Sequence, residues 1–246
     1  MKPARTAIVT GASRGIGRAI AGRLADDGWE LLVSARGGQG LNEAVAALSK
    51  SGAAVRGVPA DMGNPADVEA LARAHYQGGS ELDLLVLAAG VGSGGRIDGY
   101  PIQRLDRQFA VNVRAPFQLV SLLLPALRAA AQRRPELGAR VVAMSSITGH
   151  AAESGLAAYG ATKAALTRFC ETITTEEGGN GVLATAVAPG YVDTDMAAWV
   201  HESVPPEQMM KTSDIAELTL AITRLSRWAA VPSIVMTRPG PNLHRA

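Results

Sequence analysis

Tyr159 and Lys163, in the run Tyr-Gly-Ala-Thr-Lys, stand four residues apart and therefore share one face of a helix. A free phenol loses its proton at about pH 10, which makes it a poor acid–base catalyst at neutrality. A neighbouring ammonium favours the phenolate, so Lys163 is expected to draw the Tyr159 pKa down toward the working range. Alone, Tyr-x-x-x-Lys recurs on solvated helices and says little. Ser146 changes that, because it stands 13 residues before Tyr159 at the carboxyl end of a predicted strand. Its hydroxyl can hydrogen-bond a substrate oxygen while Tyr159 gives that oxygen a proton, with Ser145 as a rival for the role. Asn112 sits in Val-Asn-Val on a predicted long helix, four residues before Pro116. A proline ring clashes with the carbonyl of residue i−4, so the Asn112 carbonyl is expected to be freed for a water leading toward Lys163.

A second constellation opens the chain. Thr10-Gly11-Ala12-Ser13-Arg14-Gly15-Ile16-Gly17 follows a predicted strand and opens a predicted helix. Glycines 11, 15 and 17 permit a tight turn, close backbone approach to a pyrophosphate and close helix packing. The helix N-terminus adds unpaired N–H groups and a positive dipole end. A Walker loop would close on Gly-Lys-Ser/Thr, which is missing here. Roughly 20 residues further on, the second strand ends Ser34-Ala35-Arg36. A carboxylate there would hold the ribose hydroxyls of NAD, whereas an arginine suits a 2′-phosphate. Arg36, with Arg14 as a second cation, therefore predicts NADPH/NADP+ over NADH.

The GxxxGxG spacing after a threonine, together with Ser146, Tyr159 and Lys163, resembles the short-chain dehydrogenase/reductase family in its compact form, over about residues 5 to 225. The nearest known branch is the 3-oxoacyl-carrier-protein reductases, which share the opening motif almost residue for residue. The resemblance selects Ser146 over Ser145 by its spacing to Tyr159 and gives Asn112 a proton-relay role. It implies cofactor contacts from Gly11, Ser13, Arg14, Ile16, Gly17 and Arg36, and from Tyr159 and Lys163. Asp61, with Met62 beside it, would pair with the adenine amino group. Ala88, Ala89 and Gly90 would offer backbone contacts only, since the family's Asn-Asn-Ala-Gly is here Leu87-Ala88-Ala89-Gly90. Pro189 and Gly190 match the turn beside the nicotinamide, with Val192 and Thr194 at the carboxamide and phosphates. The implied reaction is hydride transfer between NADPH and a carbonyl or alcohol, in which Ser146 and Tyr159 polarise the oxygen and Lys163 holds the nicotinamide ribose. A homotetramer or homodimer is implied as well. Two departures count against carrier-protein docking. The branch's basic residues late in the Tyr159 helix are replaced by Thr174-Thr175-Glu176-Glu177 and Asn180, and its Asp-Gly-Gly tail by Thr237-Arg238-Pro239-Gly240. A general ketoreductase is the preferred function, ahead of a 3-oxoacyl-carrier-protein or polyketide reductase. A non-catalytic NADPH-binding regulator would not need the acid Tyr159.

Elements able to position these residues alternate along the chain. Strands are predicted at 6–9, 30–34, 54–58, 82–88, 141–145, 182–188 and 232–236. Helices are predicted at 16–27, 41–51, from Pro65 (capped by Asn64) to about 76, and at 105–131, 159–177 and 215–227. The absence of hairpin signals predicts an α/β fold, a doubly wound parallel sheet of Rossmann type with about seven strands and helices on both faces. Residues 1–246 read as one domain with a small substrate flap at about 194–212, whose Met196, Trp199, Val200, Val204, Met209 and Met210 suit an apolar substrate or a subunit contact equally.

Composition removes several function classes. A net charge of +2 gives no electrostatic case for nucleic acid or acidic membranes, and 4% aromatics do not make a base-stacking platform. Cys170 is the only cysteine, so no intrachain disulfide forms and a cytoplasmic setting is expected. Lys2 and Arg5 precede too short an apolar run for a signal peptide. The longest apolar run, Leu84 to Val91, falls far below the roughly 20 residues of a membrane span. The four histidines lie far apart without ligand spacing, so no metal is expected.

Overall fold

The structure, a computed structural model, describes residues 4–239; Lys2 and Gly240 lie outside the described residues. Seven strands pair in parallel: β1 (Thr6–Thr10), β2 (Glu30–Ala35), β3 (Val55–Pro59), β4 (Leu84–Leu87), β5 (Ala139–Met144), β6 (Val182–Pro189) and β7 (Ser233–Met236). Their order, β3-β2-β1-β4-β5-β6-β7, reverses direction between β1 and β4. The chain leaves β1 toward one edge and β4 toward the other, so the loops after these strands part and open a crevice at their carboxyl ends.

Every residue of β4 and β6 is buried, as expected of central parallel strands covered on both faces. The period of two sorts β4 between two apolar layers. Leu85 and Leu87 pack with Val68, Leu119 and Leu166, from α3 (Pro65–Gly78), α5 (Ala115–Arg133) and α6 (Ala157–Glu177). Leu84 and Val86 pack with Ile20, Leu41 and Ile215, from α1 (Gly15–Asp26), α2 (Gln39–Leu48) and α7 (Thr212–Ile222). As predicted, Asn64 caps α3, its side chain accepting from the Ala66 N–H.

Three boundaries differ from expectation for identifiable reasons. β4 is shorter than the apolar run because the Ala88 and Ala89 N–H groups turn to the Thr10 hydroxyl, both at 3.1 Å. The long helix starts earlier, as α4 (Ile102–Phe109), and passes through a π-helical segment at Ala110–Arg114 before α5. Helix α7 ends at Ile222 rather than near 227, because the following carbonyls have another donor. Arg140, only 2% exposed although it sits in β5, donates to Leu225 at 2.9 Å, Ser226 at 2.7 Å and Ala229 at 3.2 Å. Burial holds its pKa below the usual arginine value. Arg140→Met removes the donor for several inward-facing carbonyls and is expected to destabilise the fold by on the order of 3 kcal/mol. A lower urea midpoint at unchanged m value is the readout.

The continuous helix Ile102–Arg133 is long and apolar enough to cross a bilayer by length and composition, yet half of its most apolar window is buried in the fold. Leu119, Leu123 and Leu127 account for much of that apolarity as core residues.

Candidate active site

The crevice floor is built where the glycine turn meets the loop after β4. Thr10 Oγ1 donates to the Val86 carbonyl at 3.2 Å and accepts from the Ala88 and Ala89 N–H groups, stapling the two loops together. Gly11 has a φ of +68°, and a Cβ there would lie 2.8 Å from Ala89 N. A Cβ on Gly17 would lie 2.5 Å from the Gly11 carbonyl oxygen. Both positions require glycine, one for its dihedral and contact, the other for contact alone. Ser13 is half-buried beside Gly40, and Ile16 is half-buried against the core layer that holds α1. Arg14 is exposed and pairs with Asp195 at 2.9 Å.

At the far end of the crevice, Arg36 is exposed after β2. Asp61 accepts from the Gly63 N–H at 2.8 Å and from Arg107 Nη2 at 2.9 and 3.0 Å. Burial works to raise the Asp61 pKa, but the Gly63 hydrogen bond, Arg107 and the nearby charge of Arg36 outweigh it and hold the carboxyl below its usual range. Met62 does not join this site by its side chain, which is buried in the core at 7% exposure and leaves only backbone for a ligand.

The catalytic candidates converge at the carboxyl ends of β4 and β5. Ser146 caps a short 3₁₀ turn, its Oγ accepting from Thr148 N at 3.2 Å and Thr148 Oγ1 at 3.0 Å, and it lies close enough to Tyr159 to act on the phenol's pKa. Ser145 instead faces α6, bonding the Lys163 carbonyl and Thr167 Oγ1 at 2.9 and 2.8 Å, which removes it from the site. Asn112 grips the loop after β4 through both amide atoms: Oδ1 accepts from Val91 N at 2.9 Å and Nδ2 donates to Val91 O at 2.8 Å. Nδ2 also donates to Thr162 Oγ1 at 3.0 Å, on the helix that carries Tyr159 and Lys163. A Cβ on Gly90 would lie 3.5 Å from Lys163 Nζ and 3.6 Å from Asn112 Oδ1, so these groups surround one point. The helix at Asn112 is π-helical, with Ala115 N–H donating to the Ala110 carbonyl. An α-helical partner for the Asn112 carbonyl would be the N–H of residue 116, which is proline.

The pKa expectation for Tyr159 is reversed. Burial pushes the phenol up to about 12, with the neighbouring Ser146 hydroxyl pulling the other way. Lys163 Nζ lies 5.4 Å from the Tyr159 ring centroid and donates to the Met144 carbonyl at 2.6 Å. Burial also drives Lys163 from 10.5 down to about 8. Desolvation therefore outweighs the attraction between phenolate and ammonium. Between pH 8 and 10.5 the unfolded chain holds more protons at Lys163 than the folded one, so this residue makes stability rise with pH across that window. Relative to Lys163→Met, the wild type is expected to gain on the order of 3 kcal/mol over the window. Thermal melts of both proteins along a pH series test this, and a constant difference would contradict it.

Pro189 ends β6, and Gly190 N–H donates to Met236 at 2.9 Å. Val192 is buried and bridges Met210, which closes the base of the flap. Thr194 reaches back to the glycine turn, where a Cβ on Gly15 would touch its methyl at 3.5 Å. In the flap, Val200, Val204 and Met209 pack with Ala197 in a small cluster of their own, while Met196 and Trp199 are exposed. Sequence reasoning missed Gly92, whose Cβ would sit 3.0 Å from the Tyr159 ring, and Arg107 and Thr162, because their partners lie far along the chain. A small residue two places after Gly90 is the only local signal for the first.

Comparison with known proteins places the chain in a family. The model of the short chain dehydrogenase family matches residues 5–204. The chain is 34% identical over 229 residues to the rhamnolipids biosynthesis 3-oxoacyl-(acyl-carrier-protein) reductase of Pseudomonas aeruginosa, covering 89% of this chain and 88% of that protein. It is 35% identical over 198 residues to human mitochondrial dehydrogenase/reductase SDR family member 2, covering 80% of this chain and 68% of that one. Among solved structures, the Pseudomonas aeruginosa RhlG/NADP active-site complex superposes with a TM-score of 0.84 at 29% identity, over 98% of this chain and 96% of that one. A Burkholderia cenocepacia short chain dehydrogenase in complex with NADP gives 0.84 at 28%, over 96% of each. The chain is therefore an oxidoreductase of the short-chain dehydrogenase/reductase family, on the branch similar to 3-oxoacyl-carrier-protein reductases.

Proposed function

We propose that the chain is an NADP(H)-dependent carbonyl reductase of general ketoreductase type, acting on a small-molecule ketone or aldehyde. The convergence of Ser146, Tyr159 and Lys163 beside the glycine-lined crevice carries this reading. The crevice residues fit a nicotinamide dinucleotide: Gly11 and Gly17 leave backbone room that a Cβ would fill, and Arg36 offers an exposed cation past β2. The glycine turn with Ser13 and Arg14, Asp61, the Ala88–Gly90 backbone and the Pro189–Thr194 turn would hold it. When bound, the reduced nicotinamide supplies the hydride.

The protein's part is polarisation, proton delivery and exclusion of water. Tyr159 keeps its proton at neutral pH, because burial raises its pKa to about 12, and this state suits donation to a substrate oxygen. Ser146, beside the phenol, is placed to hold the same oxygen. Lys163, buried and titrating at about 8, is the next proton holder inward, and Asn112 ties its helix to the crevice floor through Thr162. Assembly as a homodimer or homotetramer and a cytoplasmic setting belong to the same proposal; exposed Phe117 and Trp228 supply apolar surface for self-association.

The test is NADPH consumption over a panel of free ketones and aldehydes, alongside matched carrier-bound 3-oxoacyl substrates. Turnover of free carbonyls supports the proposal. The sequence similarity to a carrier-protein reductase favours a second reading, which gains if carrier-bound substrates turn over faster. NADPH binding without turnover of either set would favour a regulator.

A further inference from the structure

Two arginines from the α4–π segment hold the turn after β3. Arg107 Nη2 spans both oxygens of Asp61, at 2.9 and 3.0 Å, and Arg114 Nη2 donates to the Gly63 carbonyl at 2.6 Å. The packing is close enough that a Cβ on Gly63 would overlap Arg107 Nη1 and lie 3.3 Å from Asp61 Oδ1. An ionised carboxylate offers about four acceptor positions. Three are taken here: Oδ1 accepts from Gly63 N–H and Arg107, and Oδ2 accepts from Arg107. One position remains, on Oδ2. The Asp61 and Arg107 side chains stay 37% and 41% exposed, so a ligand can reach it. The Gly63 hydrogen bond, Arg107 and the charge of Arg36 hold the Asp61 carboxyl below its usual range, so at neutral pH it is ionised and acceptor-only.

Resting on the cofactor reading above, in which Asp61 faces the adenine, we propose that Arg107 is a positioning residue for base recognition: by clamping Asp61 with a single oxygen open, it makes the site select a 6-aminopurine over a 6-oxopurine. An exocyclic amine brings an N–H to the open lone pair. A 6-oxo group brings a second acceptor to the same place, with no proton to share between the two facing oxygens. A carboxylate that is free to rotate could turn away from the oxo group. Clamped by Arg107 it cannot, so discrimination depends on the clamp as much as on Asp61. Arg107 is suited to this because it projects from a helix continuous with the segment carrying Asn112, a rigid support rather than a loop.

Reduced NADPH and reduced nicotinamide hypoxanthine dinucleotide phosphate differ only in the 6-amino and 6-oxo forms of the base, and their dissociation constants can be measured by fluorescence titration on the full chain. The wild type is expected to prefer the amino form by about tenfold, the effect of one hydrogen bond to a charged group. In Arg107→Gln the preference is expected to collapse toward equality, through loss of affinity for the amino form with little change for the oxo form. Arg107→Lys should give an intermediate ratio, since a point charge cannot span both oxygens as Nη2 does. Gly63→Ala, which displaces Arg107 without altering any charge, should move the ratio the same way and serves if Arg107→Gln does not fold. A merely structural role would weaken both cofactors equally, and an unchanged ratio in these variants would overturn the proposal. A wild type that binds both forms equally overturns it too, while leaving the cofactor reading intact. A wild type that binds neither overturns the cofactor reading itself, and this inference with it.

Discussion

Tyr159→Phe is expected to lower kcat for carbonyl reduction by about 10²- to 10⁴-fold, with NADPH binding retained. The phenol is the acid of the site. Ser146 lies beside it but, as an aliphatic hydroxyl, cannot replace it as a proton donor, and Lys163 Nζ is turned to the Met144 carbonyl at 2.6 Å. Phenylalanine keeps the ring that packs on Gly92, where a Cβ would sit 3.0 Å from Tyr159 Cδ2, so the local fold should survive the change. Because the lost interaction belongs to the transition state, kcat and kcat/KM should fall together. Steady-state kinetics beside a cofactor titration provide the check. A variant retaining a large share of wild-type turnover would remove Tyr159 from the acid role.

The second large effect concerns cofactor choice. Arg36→Asp is expected to weaken NADPH by about 10- to 100-fold, the range for a charge-assisted hydrogen bond, with NADH affected far less or improved. Arg36 is exposed at the end of β2, yet its charge is felt at Asp61, where it helps hold the carboxyl ionised. The substitution replaces a cation facing the expected 2′-phosphate with an anion that repels it and can accept from ribose hydroxyls instead. Arg14 does not compensate fully, because it is shared with Asp195 at 2.9 Å. The ratio of kcat/KM for the two cofactors is the measurement. Equal losses for NADPH and NADH would show that Arg36 serves neither ribose.

Much of the fold is legible from local pattern. The apolar β4 and β6, the capped start of α3 at Asn64 and the glycines of the first turn are each decided by a few consecutive residues, and each lies where periodicity and capping chemistry place it. Helix ends are less legible. The stop of α7 at Ile222 depends on Arg140, more than eighty residues earlier in the chain and brought alongside only by the sheet.

The same division runs through the site. By itself the sequence determines that a phenol and an ammonium share a helix face, that a glycine turn opens the first helix and that an arginine ends β2, because each is a matter of residue type and short spacing. Only the tertiary structure shows Ser145 tied to the Lys163 carbonyl and Thr167, Met62 buried in the core, and Asp61 clamped by Arg107, 46 residues away. It also decides the direction of the Tyr159 shift. Attraction between neighbouring charges can be guessed from spacing, but desolvation is a sum over every element packed around the group, and here that sum prevails, holding Tyr159 as a protonated acid at about 12 and Lys163 at about 8.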